Sequence, residues 1–400
     1  KKYSNVKVIL SDKNLGNEEV ASENMKQIIW CKSCILPNTR PNLYFDKKSN
    51  LCNVCSSGSK KEKKINWTKR KKEFQNIVTR SKKNNSNYDC LIPVSGGKDS
   101  TWQVLTALKY KLKPLCITWR SPARNLIGKM NLDNLINLGV DHLDLSINPK
   151  LEKYFTYKAF KNQGNPLIPM HMALHSITVQ TAIEKKIKLI LWGENSADEY
   201  GGKKDLKGKY MTNNWRKYFG VTNGTNVNFW YDKNFNKQNS NLYKQPSQKE
   251  INKNHIKEIF LGYYFKWDPK KSFNIAKKQG FKNSKIPKTG IYNFADIDDA
   301  FLITIHHFMK WYKYGFSRVW DNLSIEIRNK RLSRKQALSI VKKIGHKKPK
   351  KEISDFCNYI NINQSEFYKI CEKFKNRKIW FKDSDKKWKI KDFIIRDWKW

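Results

Sequence analysis

The sequence predicts an α/β protein: a doubly wound parallel sheet, with an N-terminal cysteine-bearing module and a C-terminal helical region. Three observations predict it. Short apolar runs alternate with helical periodicity between residues 87 and 192, two Cys-x2-Cys pairs precede that alternation, and helical spacing resumes beyond residue 257. Short, wholly apolar strands separated by helices are the mark of βαβ units with both sheet faces covered.

A chain of 400 residues, 39% of them hydrophobic, supports one large domain plus smaller modules. Its formal charge is +45, from 80 Lys and Arg against 35 Asp and Glu. Only 12 of the basic residues are Arg, and Lys mingles with Asn and Ile along the whole length. A nucleic-acid footprint would instead gather as an Arg-rich patch or stripe, so the charge reads as a compositional bias and nucleic acid is not an expected partner. No apolar run reaches 18 residues and no signal-peptide pattern opens the chain, so a cytoplasmic protein without membrane insertion is expected. Four of the eight cysteines pair closely, while Cys90, Cys116, Cys357 and Cys371 are scattered as small hydrophobes are, which argues against a disulfide scaffold.

In chain order, residues 1–26 show no clear period, and Met25 directly precedes KQIIWCKSC; the first 24 residues are expected to be an extension or a mis-set start. Residues 27–60 form the cysteine module and end in the polar hinge SSGSKKEKK, and 61–86 form a basic linker with a short helix over 67–77. The main domain is placed at 87–345. It holds a strand at CLIPV, a helix over 100–112, a strand over 115–119, a helix over 127–138, a strand over 142–146, a helix near 171–185 and a strand over 188–192. Trp102, Leu105, Leu108 and Leu112 fall on one face of the first of these helices and read as core. Residues 203–257 look like an irregular insertion near the site with few apolar anchors. A helical part is expected from KEIFLGYYFKWDP onward, through 296–313 and 334–343, and residues 346–400 read as a small helical appendage.

Cys31, Cys34, Cys52 and Cys55 give C-x2-C-x17-C-x2-C. Two such knuckles bring four thiolates into a tetrahedron, the pattern of a zinc ribbon, and a four-cysteine site has no open position, so the Zn²⁺ is expected to be structural. An iron–sulfur cluster or a redox pair is the alternative.

The stretch VSGGKDST follows the first strand. Its glycines are adjacent, unlike the common ATPase loop, and the next helix begins near Asp99. Gly96 and Gly97 allow a tight turn with exposed N–H groups, and the helix N-terminus adds positive potential, so the loop suits a pyrophosphate. Lys98 adds charge, Ser95 and Ser100 add hydroxyls, and Asp99 is a candidate Mg²⁺ ligand. A second loop, WGENSADEYGG, also follows a strand and so lies on the same sheet edge. Glu194 and Glu199 are candidate bases, Asp198 a candidate Mg²⁺ ligand; helix capping is the plainer reading of all three.

Other charged groups have weaker claims. Arg318, with Lys310 or Lys313, is a candidate phosphate ligand or part of a solvated basic face. His171 and His175 share a helix face without an apparent third ligand and read as core or pocket lining. Asp296, Asp298 and Asp299 read as caps at the start of a helix.

SGGKDS after a buried strand resembles the loop of the PP-loop ATP pyrophosphatases of the adenine nucleotide alpha hydrolase-like fold. That resemblance implies ATP cleaved between its α- and β-phosphates to adenylate a carbonyl or amide oxygen. Further stretches narrow it: WCKSCILPNTRPNLYFD, DCLIPVSGGKDSTWQVL, KPLCITW, LGVDHLDL, LILWGENSADEYGG, LGYYFKWD and KYGFSRVWDNLSIEIRNKRLSRKQAL. Together, over roughly 26–343, they are similar to the N-acetyl sugar amidotransferases of surface-polysaccharide and nonulosonic-acid biosynthesis.

The resemblance implies conversion of a sugar acetamido group, carried on UDP, to an acetamidino group. ATP adenylates the amide oxygen and ammonia displaces AMP, with ammonia supplied by a separate glutaminase subunit of the histidine-biosynthesis type and a cyclase-like subunit. Two rival readings stand beside it. A PP-loop tRNA thiolation enzyme needs a reactive cysteine near ATP, for which only Cys90 and Cys116 are candidates. A non-catalytic zinc-ribbon RNA-binding protein leaves both loops unexplained.

Overall fold

The computed structural model describes residues 27–57, 65–84, 86–202, 204–219 and 221–400; the expected N-terminal extension and most of the SSGSKKEKK hinge lie outside them. Helix α1 (Trp67–Ser81) leads into strand β1 (Cys90–Pro93), and the sheet continues with α2 (Lys98–Lys109), β2 (Pro114–Trp119), α3 (Leu126–Ile136) and β3 (Asp141–Leu145). Two helices, α4 (Pro149–Gln163) and α5 (Ile168–Glu184), then return the chain to β4 (Leu189–Trp192) and, after the 203–257 segment, to β5 (Lys257–Phe260).

All pairings in this sheet are parallel, in the order β3-β2-β1-β4-β5. The chain therefore winds outward from β1 through β2 to β3, then crosses back to build β4 and β5 on the other side. The order reverses between β1 and β4, so the crevice of the doubly wound sheet opens beyond the carboxyl ends of those two strands. The two loops singled out from the sequence, one after β1 and one after β4, border that crevice.

The strands are buried on both faces because their side chains alternate between two cores. Leu91, Ile117 and Ile190 join the core beneath α4 and α5, while Cys90, Ile92, Cys116 and Leu191 join the core that holds Phe74 and Val78 of α1 and Val104 and Ala107 of α2. Burying one such aliphatic side chain stabilises by roughly 1.5–3 kcal/mol. The first core runs on without a break into the cysteine module and the C-terminal helices. The sheet, module and tail thus share one apolar interior.

Beyond β5 lie α6 (Pro269–Lys278), α7 (Leu302–Tyr314), α8 (Arg318–Arg328), α9 (Arg334–Ile344), α10 (Lys350–Ile360) and α11 (Gln364–Lys373), closed by an antiparallel pair, β6 (Trp380–Lys382) and β7 (Trp388–Ile390). Local signals start several of these elements. Asn125 caps α3 by accepting from Gly128 N–H at 2.8 Å, Asn148 followed by Pro149 opens α4, and Ser333 with Gln336 forms a capping box on α9.

Several sequence expectations change here. The stretch KEIF is a strand, not the start of a helix: its polar Glu258 is buried because Arg216 pairs with it and Trp192 Nε1 donates to it at 2.9 Å. The 203–257 segment is anchored by Trp230, Phe235 and Tyr243, which pack on Phe155 of α4. The tail carries the β6–β7 pair as well as helices. Of the stripe read as core on α2 and just beyond it, Leu112 lies in the core and Trp102 and Leu108 pack against it, while the fully buried positions of the helix are Thr101, Val104 and Ala107.

A charged cluster joins the module to the helices. Asp321, 1% exposed, pairs with Arg40 of the cysteine module at 3.1 Å and with Lys310 of α7. Burial opposes its charge, yet Lys310, Arg40 and Arg318 hold its carboxyl below the usual range. Asp321→Asn leaves those cations buried without their shared partner, so unfolding in denaturant is expected to show a loss of about 3–5 kcal/mol.

Candidate functional site

The loop after β1 is set by backbone geometry. Gly96 has φ +83°, and a Cβ there would lie 2.5 Å from Leu132 N and 2.7 Å from Leu132 Cα of α3. Both the left-handed conformation and the approach of a neighbouring backbone demand glycine. Gly96→Ala is expected to destabilise the fold by roughly 2–4 kcal/mol, read by denaturant titration.

Gly97 precedes α2 in an extended conformation. Ser95 N–H donates to Ser100 Oγ at 3.0 Å, and Gly97 N–H donates to Ser95 Oγ at 3.3 Å, which holds the turn closed. The first helical bond runs from Thr101 N–H to Gly97 C=O at 3.0 Å. The N–H groups of Lys98, Asp99 and Ser100 in the first turn therefore have no helical acceptor, and they face the crevice end of the sheet with the helix dipole behind them. That arrangement fits an anionic phosphate group.

Lys98 pairs with Asp99 through Oδ2, and Trp267 Nε1 donates to Asp99 Oδ1 at 3.0 Å. Both carboxylate oxygens are thus engaged, and a cation held by Asp99 would share them with Lys98 and Trp267. Across the crevice, Glu194 follows β4. Burial first, then the nearby Asp99 carboxylate, pushes its carboxyl up to about 7; Glu199 adds to the rise and Lys98 opposes it. Lys98, Asp99, Glu194 and Glu199 are therefore gathered in one electrostatic cluster.

Asn195 fixes the acidic loop. Its Oδ1 accepts from Ala197 N–H at 2.9 Å and from Trp215 Nε1 at 3.0 Å, and its Nδ2 donates to Leu206 C=O at 3.1 Å. Asp198 Oδ2 accepts from Gly208 N–H at 3.0 Å. Asp198 and Glu199 border a cavity of about 810 Å³, whose walls also include Gly262, Trp267, Arg328 and Cys55. Arg328 donates to the backbone carbonyl of Glu199 at 3.0 Å, tying this loop to α8.

Arg318 sits at the start of α8, 5.6 Å from the Tyr200 ring centroid and 3.9 Å from Asp321. Burial opposes its charge, but Tyr200, Asp296 and Asp321 keep it cationic. Its buried Nε has no hydrogen-bond partner. Among the aspartates read as helix caps, only Asp299 acts as one, accepting from Ile303 N–H at 3.0 Å; α7 starts at Leu302. Asp298 instead faces Ser95 of the glycine loop, which partly offsets the upward push that burial gives its carboxyl, and Asp296 is held ionised against its burial by His307 and Arg318. His175 lies in the core between Trp192 and Trp215, at 5.5 and 6.3 Å between ring centroids, with His171 beside it.

Sequence reading missed Trp267 and Asp298 as site residues. Trp267 lies in LGYYFKWD, where nothing local marks a side chain that will reach Asp99. Asp298 looked like a cap because an acidic run precedes a helix, and only the fold brings it against Ser95.

The four module cysteines converge: their Sγ atoms all lie within 4.8 Å of one another, and Cys34 Sγ is 3.8 Å from Cys52 Sγ. Four sulfurs at the usual Zn–S distance of about 2.3 Å stand about 3.8 Å apart in a tetrahedron. Cys52 N–H and Cys34 N–H both point at Cys31 Sγ, at 3.3 and 3.5 Å, as they do toward a thiolate. The donor set fits Zn²⁺, which would be held by Cys31, Cys34, Cys52 and Cys55 in a structural role. Arg334 Nε donates to the carbonyls of Cys31 and Cys34 at 3.2 and 3.1 Å and docks the module on α9.

Sheet order, glycine loop and cysteine cluster together define the class: a doubly wound parallel α/β protein with a four-cysteine cluster and a C-terminal helical region. Residues 289–394 match the model of the LPS biosynthesis protein WbpG-like, C-terminal domain. An uncharacterized protein of Methanocaldococcus jannaschii is 34% identical over 107 residues, 22% of this chain, and the chain spans 38% of that protein's length. Among solved structures, NMN synthetase from Francisella tularensis matches at 14% identity and TM-score 0.25, over 48% of this chain and 93% of that one. NH3-dependent NAD synthetase from Campylobacter jejuni matches at 14% identity and TM-score 0.28, over 56% of this chain and 100% of that one. No helix among the described residues is long and apolar enough to cross a membrane.

Proposed function

We propose that this chain is an ATP-dependent, AMP-forming amidotransferase that converts the acetamido group of a UDP-linked N-acetyl sugar to an acetamidino group. The observation that carries the reading is the pairing, across the crevice, of a glycine loop built for phosphate with Glu194, a carboxyl whose affinity for protons is raised to near neutrality. The match of residues 289–394 to a WbpG-like LPS biosynthesis domain supports the sugar context.

In this reaction the amide oxygen attacks the α-phosphorus of ATP and pyrophosphate leaves. Lys98 and the first-turn N–H groups of α2 hold the departing pyrophosphate and offset its growing charge. Mg²⁺ would be held by Asp99 and Asp198, and when bound it neutralises phosphate charge. Ammonia then adds to the adenylated carbon, Glu194 or Glu199 takes its proton, and AMP departs with the former amide oxygen. Arg318 is a ligand for substrate phosphate. A glutaminase subunit of the histidine-biosynthesis type, with a cyclase-like subunit, supplies the ammonia.

A specific observation weighs against the thiolation rival. Burial pushes the Cys90 thiol well above its ordinary range and the Cys116 thiol up to about 12, so neither is disposed to ionise and relay sulfur. The test is to incubate the protein with ATP, Mg²⁺, ammonium and UDP-N-acetyl sugars. AMP and a sugar product one mass unit lighter are expected; ATP cleavage that requires tRNA instead would overturn the reading.

A further inference from the structure

The cavity of about 810 Å³ beside the acidic loop is walled by parts of the chain that lie far apart in sequence. Ser33 and Ser57 come from the cysteine module, Arg70 from α1, Tyr263 and Trp267 from the turn after β5, and Arg328 from α8. Its volume falls within the range of sites that take whole small molecules, about 300–1,000 Å³, and ammonia or a single phosphate would leave most of it empty. None of residues 94–100 lines it, so it stands apart from the glycine loop.

The cavity nevertheless abuts the reacting groups. Gly262 forms part of its wall, donates its N–H to Gly193 C=O at 3.0 Å, and would place a Cβ 3.2 Å from Glu194 Cα. Trp267 lines the cavity and reaches Asp99 Oδ1 through its indole N–H at 3.0 Å. A molecule seated there lies against the backbone that carries Glu194 and against the indole that holds Asp99. It arrives from the side of β4 and β5.

Two arginines in the wall differ in what they leave open. Arg70 is committed to structure: its Nη1 donates to Tyr263 C=O at 2.7 Å, and its guanidinium lies 3.8 Å from the centroid of the Tyr263 ring. In Arg328 one Nη2 bond runs to Glu199 C=O at 3.0 Å, while Nη1 is buried with no hydrogen-bond partner. A buried guanidinium donor without an acceptor is unfavourable, so a ligand that supplies one gains affinity, and the planar fork suits the oxygens of phosphate. Ile325, one turn earlier on α8, packs with Tyr200 and Trp267 and so fixes the helix against the loop that Arg328 holds.

We infer that this cavity seats the nucleotide-linked sugar acceptor, with Arg328 Nη1 donating to a phosphate oxygen of its diphosphate and the cysteine module closing one wall. The inference rests on the sugar-nucleotide reading above. It gives the module a part in acceptor binding as well as in folding, and it gives the two substrates separate seats: ATP on α2, the acceptor between α8 and the turn after β5.

The test titrates the zinc-loaded chain with UDP and, separately, with ATP in the presence of Mg²⁺. The wild type is expected to bind both. Arg328→Lys keeps the cation but gives up the fork, and it is expected to bind UDP at least tenfold more weakly with ATP affinity unchanged. Ser33→Trp, at an exposed position of the module, narrows the cavity from another wall and is expected to repeat that loss. Melting curves and zinc content separate both effects from unfolding; should Arg328→Lys fail to fold, Ser33→Trp decides alone. Failure of the wild type to bind UDP, or UDP affinity unchanged in a folded Arg328→Lys variant, overturns the site. Equal weakening of UDP and ATP overturns it too, because the cavity then holds ATP. UDP binding as expected without amidine formation from UDP-N-acetyl sugars would instead sink the reaction and leave the site standing.

Discussion

Glu194→Gln is expected to lower amidine formation by about 10²–10⁴-fold while leaving ATP–pyrophosphate exchange with the acceptor in place. Gln keeps the size and the hydrogen-bonding capacity of the side chain and removes only the group that accepts a proton. In the wild type that group has its carboxyl pushed up to about 7 by burial and by Asp99. A base works when unprotonated, so the rate of amidine formation should climb as pH rises through about 7 and flatten above it; the Gln variant should lack that limb. Glu199→Gln tests the alternative base, and a smaller loss there would make Glu194 the acceptor. Single-turnover AMP release and product mass, followed across that pH range, separate the two. Normal amidine yield in both variants would refute a carboxylate base at this loop.

Removing the metal from the cysteine module is expected to lower the melting temperature by about 10 °C or more, with zinc restoring it. The four thiols lie in the same core as Ile28, Ile35, Leu36 and Leu43, in a segment too small to hold its shape by burial alone. Without a cation, four thiolates cannot share a sphere of 4.8 Å, and protonated thiols lose the N–H···S geometry on Cys31. The loss should spread beyond the module, because Arg334 docks on its carbonyls and Arg40 supplies a partner of buried Asp321. Calorimetry with and without a chelator, alongside elemental analysis, checks it. One zinc per chain in a colourless preparation is the expected content; iron with visible absorbance would restore the cluster alternative.

What was legible in the sequence followed from local rules. The strands CLIPV, PLCITW and LILW are each too short and too apolar to be anything but interior strands, and three of the four helices between them open on Gly97, Asn125 or Asn148. The Cys-x2-Cys spacing announces a tetrahedral donor set, and adjacent glycines before Lys98 announce a turn with open N–H groups. KEIF failed as a strand because Glu258 is polar, and its partners Arg216 and Trp192 are far away in sequence. The anchors of the 203–257 segment were present as Trp230, Phe235 and Tyr243, but their spacing follows no helix or strand period, so only packing on Phe155 reveals them.

By itself the sequence determined the α/β class, the four-cysteine cluster and the two loops that border the crevice, because each depends on contacts between residues near one another in the chain. Only the tertiary structure decided that β4 returns beside β1, which places Glu194 opposite Lys98 and Asp99, that Trp267 and Asp298 serve the glycine loop, and that Arg40, Lys310 and Arg318 share Asp321. Those are meetings of side chains from distant segments. Their energies come from burial and charge in a common interior, which no local pattern records.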